Sequence, residues 1–407
     1  MLAPYRRLFS ARGSIAFTMA GFFGRLALAM YGVSTVIMVA TLRDSYTLAG
    51  AVGGVSLAAT LITVPRISRL IDQYGQTRVA VPAAAISALG SVALVLCAHN
   101  GAPVWTLFVT GSLSTAPNAG GLVRARWAEI YRNDEKSLHV ANSFEQVLDE
   151  ICFILGPIIT VALCTGLFPE AGRLAAGALT LGGTLLLVAQ KSSEPPVQEL
   201  DKTAKSPLRN RGLQVVMVTL FLTGTTFGSL EIVSVAYTEE LGHASSAGVV
   251  IALQAVGSAV AGFLFGLVTP RGHNTTRLLT GLFAMGLLML PLQFAENLPA
   301  LCLLMFVAGM ANTPTMVTSM TMVQELVPRA QINEGMALAV TSILGGTALG
   351  SALAGLVVDR VNPLTGYWMA PGAAALALIV TAAGRRRIRA AEHRPEPTAE
   401  EPQPAEA

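Results

Sequence analysis

The sequence predicts an all-α integral membrane protein with twelve transmembrane helices in two six-helix bundles. Only 13% of its 407 residues are charged, while 53% are hydrophobic. Soluble domains carry roughly 25% charged residues, so most of this chain cannot face water. Apolar runs of about 20 residues, long enough to cross a bilayer, recur along the sequence. A polar segment near the middle separates them into two sets of six.

Each of the twelve apolar runs is interpreted as one membrane-spanning helix. Their internal prolines and glycines are tolerable because neighbouring helices can satisfy the freed backbone groups. The first run is too long for the apolar part of a signal peptide and lacks a convincing cleavage site, so we predict a helix there too. The predicted spans are 14–41, 47–70, 78–98, 103–125, 140–166, 169–190, 213–237, 245–269, 276–296, 299–323, 332–358 and 364–384.

The distribution of lysine and arginine predicts that both termini are cytoplasmic. Cytoplasmic loops of membrane proteins carry an excess of these residues. In this orientation the outer loops hold only Arg43, Arg173 and Arg360, Arg25 lies within a helix, and every other basic residue is on the inner side. If one helix had been missed, all later loops would be assigned to the wrong side of the membrane and this distribution would be lost. We therefore predict a multi-pass protein of the plasma or inner membrane.

The polar segment 192–212 is predicted to be a cytoplasmic linker, because it is rich in proline and charge. It follows an N-terminal six-helix bundle (1–191) and precedes a C-terminal one (213–384). The remaining residues, 385–407, are rich in proline and glutamate and are predicted to form a disordered cytoplasmic tail.

A faint internal repeat relates the two halves. Pro117 and Pro314 are 197 residues apart, and so are Gly75 and Gly272. Parallel repeats of six helices are a known plan for transporters.

Motifs for enzymatic or ATP-driven activity are absent from the sequence. The four cysteines lie in apolar runs without a CxxC pair, and the five histidines form no metal-binding cluster. No phosphate-binding loop of the GxxxxGK[ST] type occurs. We therefore predict a protein that is not an enzyme and has no metal, no cofactor and no nucleic-acid partner.

The loop between predicted helices 2 and 3 carries the most informative motif. It reads SRLIDQYGQTR (68–78) and resembles the signature of the major facilitator superfamily, usually written G-x-L-x-D-R-x-G-R-R. The matching residues are Leu70, Asp72, Gly75 and Arg78, whereas the departures are Ser68, Gln73 and Gln76. The resemblance implies the family's fold, in which two six-helix bundles give alternating access to a central cavity.

The resemblance also implies that Asp72, Gly75 and Arg78 form a gating loop. In the family this loop helps to hold the two halves together in the outward-open state. Carried over, Asp72 would cap or pair across the interface, and Arg78 would pair with an acid at the end of helix 4, such as Glu129. The alternative is that Asp72 and Arg78 are solvated loop charges.

Predicted helix 5 resembles a second family pattern, the antiporter signature, in which glycines at set intervals precede a Gly-Pro pair and another glycine pair follows it. Thr160 and Val161 replace that final pair. Here Ser143 and Cys152 occupy two glycine positions before Gly156 and Pro157. Small residues let membrane helices approach closely. The resemblance implies a packing role for Cys152, Gly156 and Pro157, and it favours a drug- or metabolite:proton antiporter.

Three carboxylates lie where helix 5 enters the membrane, in FEQVLDEICFILGP (144–157). An unpaired charge at the centre of a membrane helix costs about 2.5–3.5 kcal/mol. We therefore predict one buried network of Arg25, Arg124 or Arg126, Glu145, Asp149 and Glu150. Such groups mark ion or substrate pathways, although a static ion-pair network would also satisfy them. Glu145, placed nearest the membrane surface, is predicted to be structural.

Glu231 in helix 7 has only apolar or small polar neighbours in the sequence. It is suited to carry a proton or bind a cationic substrate, unless the helix ends early and leaves it in water. The family fold implies that helices 1, 4, 7 and 10 surround the cavity. Asn118, Asn312 and Thr315 are therefore candidates for substrate hydrogen bonds, although such residues also bond between helices for packing.

Together these features predict a secondary active transporter that moves a small molecule by alternating access, coupled to protons and directed outward. The expected partners are the lipid bilayer, a small-molecule substrate and protons, and we expect a monomer. The alternatives are a proton-coupled importer of a small metabolite and a non-transporting membrane sensor or scaffold on the same fold.

Overall fold

The computed structural model describes residues 3–197, 206–243, 246–268 and 272–392. Within these ranges the chain is helical, without β-strands. Eleven helices of this part of the chain are long and apolar enough to cross a membrane. The fourth predicted span is divided into two shorter helical segments, which completes the predicted set of twelve.

The helices of the first half follow the predicted spans, and most of them are longer, whereas the sixth is slightly shorter than its predicted span. A short helix, Ala3–Leu8, precedes them. They are α1 (Ser14–Arg43), α2 (Tyr46–Tyr74), α3 (Gln76–His99), α4 in two segments (Val104–Leu113 and Ala119–Ile130), α5 (Glu135–Gly166) and α6 (Ala171–Ala189).

The second half repeats this order, and a short helix, Pro363–Gly366, precedes its last member. Its helices are α7 (Arg211–Glu240), α8 (Ala247–Leu267), α9 (Asn274–Met289, continued by the 3-10 turn Leu290–Phe294), α10 in two segments (Leu298–Gly309 and Asn312–Leu326), α11 (Ile332–Arg360) and α12 (Met369–Glu392). Because α12 continues to Glu392, residues 385–392 are helical and the prediction of disorder from 385 is wrong there. Residues 393–407 and the linker segment 198–205 lie outside the described residues.

The repeat predicted from two residue pairs extends to whole helices. The first residues of α1 and α7 are 197 positions apart, and so are their last residues. The first residues of α5 and α11 are separated by the same number. Gly75 and Gly272 both have positive φ angles, 90° and 77°, which favour glycine at each loop. The two halves are therefore built on one plan.

The break in α4 lies around Pro117, whose ring leaves no N–H for a helical hydrogen bond. Asn118 caps the second segment, because its Oδ1 accepts a hydrogen bond from the Gly121 N–H at 3.0 Å. The first segment packs against α2 and α3, whereas the second turns inward to contact α1, α5 and α11. The break thus carries the lower part of α4 into the centre of the molecule.

The halves meet along α2 with α11 and along α5 with α8. Hydrogen bonds between them cluster at the end of the bundle that carries the α2–α3 loop and both described ends of the linker, Glu194 and Ser206. We refer to this as the linker end. The structure is closed at the linker end by these bonds.

Candidate transport site and gate

Asp72 joins the two halves at the linker end. Its Oδ1 accepts hydrogen bonds from the Asn333 backbone N–H at 3.1 Å and the Asn333 side chain at 2.7 Å, and its Oδ2 accepts one from the Glu334 N–H at 2.8 Å. These backbone groups belong to the first turn of α11, where N–H groups have no partner within the helix. A carboxylate there also benefits from the helix dipole. The structure thus places Asp72 as a cap across the interface, the position that the family resemblance implied.

We expect replacement of Asp72 by asparagine to slow transport about tenfold while equilibrium substrate binding stays within a few fold. The asparagine side chain lacks the charge of the carboxylate that caps α11, and a cap contributes about 1 kcal/mol or more to stability. Position 72 lies outside the cavity, so substrate binding should change little. Initial rates and binding measured on one reconstituted preparation test this. Asp44→Asn, an exposed loop aspartate between α1 and α2, should leave both quantities unchanged. Loss of binding in Asp72→Asn at normal expression would contradict the assignment.

Arg78 does not form the ion pair that the resemblance implied. Its side chain is exposed at the start of α3. Glu129, the suggested partner, instead lies 3.7 Å from Arg132, one turn further along. Gly75 takes the left-handed turn between α2 and α3, and a side chain there would also meet Val197 of the linker at 3.2 Å.

Arg25 and Arg124 bind the acids of α5 inside the first half. Arg25 forms an ion pair with Glu145, and its Nε lies 3.0 Å from Asp149 Oδ1. Arg124 Nη2 lies 2.6 Å from Asp149 Oδ2. Trp127 Nε1 donates to the second Glu145 oxygen at 2.6 Å. The predicted network is therefore present for these four charged residues.

Glu145 is enclosed by the protein on all sides. Its side chain is fully buried, at 0% exposure. α5 begins at Glu135, five residues before the predicted span, so Glu145 lies about 15 Å along the helix. It is the most deeply enclosed acid of the cluster.

Arg126 does not take part in this network. Its Nε donates to Gln76 Oε1 at 2.9 Å, and its Nη1 donates to the Gln190 carbonyl at 2.8 Å and to Ser193 Oγ at 2.7 Å. Arg126 therefore holds α3, α4 and the start of the linker together on the side away from α5.

Glu150 faces the second half and has no arginine partner among the described residues. Its Oε1 accepts hydrogen bonds from Ser258 Oγ of α8 at 2.8 Å and from Gln146 Nε2 at 3.2 Å. Ser258 Oγ is in turn 2.8 Å from Thr313 Oγ1 of α10. The two guanidinium groups thus pair with Glu145 and Asp149, and the third acid, Glu150, bridges the two halves.

The small residues of α5 pack against α1, as the resemblance implied. A side chain at Gly156 would meet the Ala29 Cβ at 2.6 Å. Cys152 is buried and its thiol lies 3.7 Å from the Phe22 carbonyl. Pro157 follows Gly156 inside α5. This close approach brings Arg25 within reach of the acids of α5.

The three polar cavity candidates take different roles. Asn118 caps α4, and its Nδ2 reaches the Met336 carbonyl of α11 at 3.5 Å. Thr315 is fully buried and donates to the Ala311 carbonyl at 3.0 Å, so the structure does not place it in a cavity wall. Asn312 is buried at the start of the second α10 segment, and its Oδ1 has no hydrogen-bond partner. Of the three, Asn312 is the one whose side-chain oxygen has no hydrogen-bond partner among the described residues.

Glu231 lies about two-thirds of the way along α7, and its side chain is exposed. One turn before it, Gly228 packs against Thr347 of α11, and one turn after it, Ser234 contacts Met305 of α10. Helical spacing therefore directs Glu231 to the face of α7 between α11 and α10. Among the described residues it forms no ion pair or hydrogen bond.

Sequence analysis missed a second set of bonds at the linker end. Asn142 Nδ2 of α5 donates to Gln324 Oε1 of α10 at 2.7 Å. His139 Nε2 contacts the Phe265 carbonyl of α8 at 3.0 Å, and Arg277 lies 3.3 Å from the other ring nitrogen. The available signal was the concentration of polar side chains at the start of helix 5.

A family model described as the Major Facilitator Superfamily matches residues 17–271 and 216–407. The chain belongs to the Major Facilitator Superfamily. This membership makes it a membrane transporter and not an enzyme. No curated protein matches the sequence.

Solved major facilitator structures share the fold over almost the full chain. The human organic anion transporter MFSD10 (TETRAN) is 15% identical with a TM-score of 0.70, covering 91% of this chain and 100% of that one. A bacterial homologue of the iron transporter ferroportin, in an outward-facing state, is 13% identical with a TM-score of 0.70, covering 92% and 100%. The E. coli fucose:proton symporter FucP is 15% identical with a TM-score of 0.70, covering 92% and 98%. At these identities the likeness shows the fold alone.

Membership of the superfamily implies that the closed linker end is one state of a transport cycle. Transporters of this plan expose a site between two bundles alternately to either side of the membrane. The bonds of Asp72, Asn142 and His139 across the halves must therefore break when the linker end opens.

Proposed function

We propose that this protein is a proton-coupled transporter that exports a small molecule by alternating access. The observation that carries the proposal is that Arg25 and Arg124 pair with Glu145 and Asp149, while the neighbouring Glu150 has no arginine partner among the described residues and accepts hydrogen bonds from Ser258 and Gln146. A charge buried in a membrane without a partner is costly, so the third acid, Glu150, gains from binding a proton.

Glu150 is positioned to connect its protonation with the movement of the halves. A hydrogen bond to an ionised carboxylate is roughly twice as strong as one between neutral groups. Its bond from Ser258 joins α5 to α8 across the interface. Protonation weakens this bond and favours separation at the linker end, whereas proton release restores it.

Glu231 supplies a second acid, in the second half. Because it is exposed on α7 and has no cationic partner among the described residues, a proton or a cationic substrate can neutralise it. In the proposed cycle Glu231 takes a proton when the site opens to the outside. It releases that proton when the site opens at the linker end, and binding of the substrate favours the release.

The small-residue contact of α5 with α1 supports the antiporter type and hence export. The structural neighbours include both a transporter named for organic anions and a proton symporter, so fold likeness leaves import as the second candidate. Proteoliposomes under an imposed pH gradient separate the two. An antiporter accumulates its substrate on the acidic side and a symporter on the alkaline side, whichever way the protein is inserted. Downhill flux without accumulation on either side would overturn proton coupling.

The proposal places the linker end in the cytoplasm, and cysteine labelling tests this. After replacement of the four native cysteines, single cysteines at Lys202 in the linker and Glu400 near the C-terminus should react only with reagents that enter the cell. A cysteine at Asp44, at the opposite end of α1, should react from outside and serves as the control. Outside labelling at Lys202 or Glu400 would reverse the orientation.

A further inference from the structure

A groove of about 820 Å³ lies between α2, α3 and the first segment of α4. It exists because α4 breaks: its second segment turns inward to α1, α5 and α11 and leaves the space between α2 and α3 uncovered. Along α2 the groove runs from Val55 to Leu70, about 22 Å at 1.5 Å per residue. It lies apart from the ion pairs of α1, α4 and α5.

The walls of this groove are apolar and face the surroundings of the bundle. Val55, Leu70 and Ile86 line it and are each more than two-fifths exposed, at 41%, 44% and 53%. The hydroxyl groups of Ser112 and Thr115 donate to carbonyls of their own chain segment, at 2.8 Å and 3.0 Å. The wall therefore offers hydrocarbon contact and few free polar groups. In a membrane-spanning bundle, such a surface is filled by lipid chains.

Among the described residues that line the groove, Arg78 is the one with a charge. It is exposed at the first turn of α3, at the linker end of the groove, and it forms no hydrogen bond or ion pair with the residues that the structure describes. A basic side chain at the end of a membrane helix extends toward the headgroups. The guanidinium group matches the geometry of phosphate and binds it through two hydrogen bonds.

We propose that the groove is a binding site for one anionic phospholipid, with an acyl chain along α2 and the headgroup phosphate on Arg78. Among the residues that the structure describes, Arg78 has no counterion, and an anionic headgroup supplies one at the level where the hydrocarbon wall ends. Because Arg78 and Asp72 belong to the same loop region, bound lipid holds the start of α3 beside the Asp72 cap. The inference does not depend on the proposed coupling to protons.

Lipid binding to the purified full-length protein tests the proposal. Native mass spectrometry compares phosphatidylglycerol with phosphatidylcholine. A single arginine at the membrane surface is worth about fivefold in affinity for anionic lipid, so the wild type should prefer phosphatidylglycerol by about that factor. Arg78→Gln should abolish the preference while phosphatidylcholine binding is unchanged. Arg66→Gln changes an exposed arginine of α2 outside the groove lining and should keep the preference.

Two further experiments test whether a lipid acyl chain and its headgroup occupy the groove. Ala83→Trp fills the groove and should reduce binding of both lipids, and thermal unfolding checks that each variant is folded. Inorganic phosphate should not displace phosphatidylglycerol. A preference that survives Arg78→Gln, or is lost equally in Arg66→Gln, would overturn the site. Displacement by inorganic phosphate would assign Arg78 to the free ion, and unchanged lipid binding in folded Ala83→Trp would place the acyl chain elsewhere.

Discussion

Replacement of Arg25 by alanine is expected to lower the free energy of unfolding by about 3–5 kcal/mol, the loss typical when one partner of a buried ion pair is removed. The side chains of Arg25 and Glu145 are 5% and 0% exposed. Without the guanidinium group, Glu145 keeps one donor, Trp127 Nε1, and stays in the interior as an uncompensated charge. Thermal unfolding in detergent and the yield of folded protein measure the effect.

The double variant Arg25→Ala with Glu145→Gln distinguishes an ion pair from two independent packing effects. It removes both charges, so it should recover a large part of the stability lost in Arg25→Ala. Arg66→Ala, at an exposed arginine of α2, should change the stability by less than about 0.5 kcal/mol. Strict additivity of the Arg25 and Glu145 substitutions would show that the two residues do not interact.

Replacement of Glu231 by glutamine is expected to abolish accumulation of substrate against a gradient while downhill exchange continues. Glutamine mimics the protonated acid, so the protein should fold and still undergo the movement between states. It cannot release a proton, and the substrate flux therefore loses its driving force. Uphill and downhill fluxes in the same proteoliposomes measure the two properties separately.

Glu240→Gln is the matched control for Glu231, because it makes the same change at an exposed residue in the last turn of the same helix. It should retain accumulation. Glu145→Gln is unsuitable as a control, since Glu145 is buried in an ion pair. Accumulation that depends on pH and proceeds at the normal rate in Glu231→Gln would exclude Glu231 from coupling and direct attention to Glu150.

The membrane helices were predictable because an apolar run of spanning length has few alternatives in a chain with so little charge. The cap by Asp72 followed from the family motif. Arg126 was predictable in principle, since two residues of helix separate it from Arg124 by about 200°. Only one of the two side chains can therefore point toward α5, and in the structure it is Arg124.

The remaining features depend on contacts that no local pattern contains. The roles of Asn118 and Thr315 depend on how the segments of α4 and α10 meet their neighbours, which a spacing argument does not give. Glu145 is enclosed by Arg25 of α1 and Trp127 of α4, which the sequence of α5 does not indicate. The first turns of α5 are polar and precede the predicted span. His139 and Asn142 lie in those same turns, and their partners are in the other half of the chain.

The two described ends of the linker bind beside the Asp72 cap itself. Glu194 accepts hydrogen bonds from the Thr77 backbone N–H at 2.9 Å and from its hydroxyl at 2.7 Å, in the first turn of α3. Ser206 donates to Glu334 at 3.1 Å, in the first turn of α11. When the Asp72 cap breaks, the linker still joins the two halves covalently. The bonds of the cap therefore form again within one molecule, at an effective concentration of about millimolar. The linker end can therefore close quickly without strong bonds. A few hydrogen bonds on the Asp72 carboxylate can keep it closed and still break in every transport cycle.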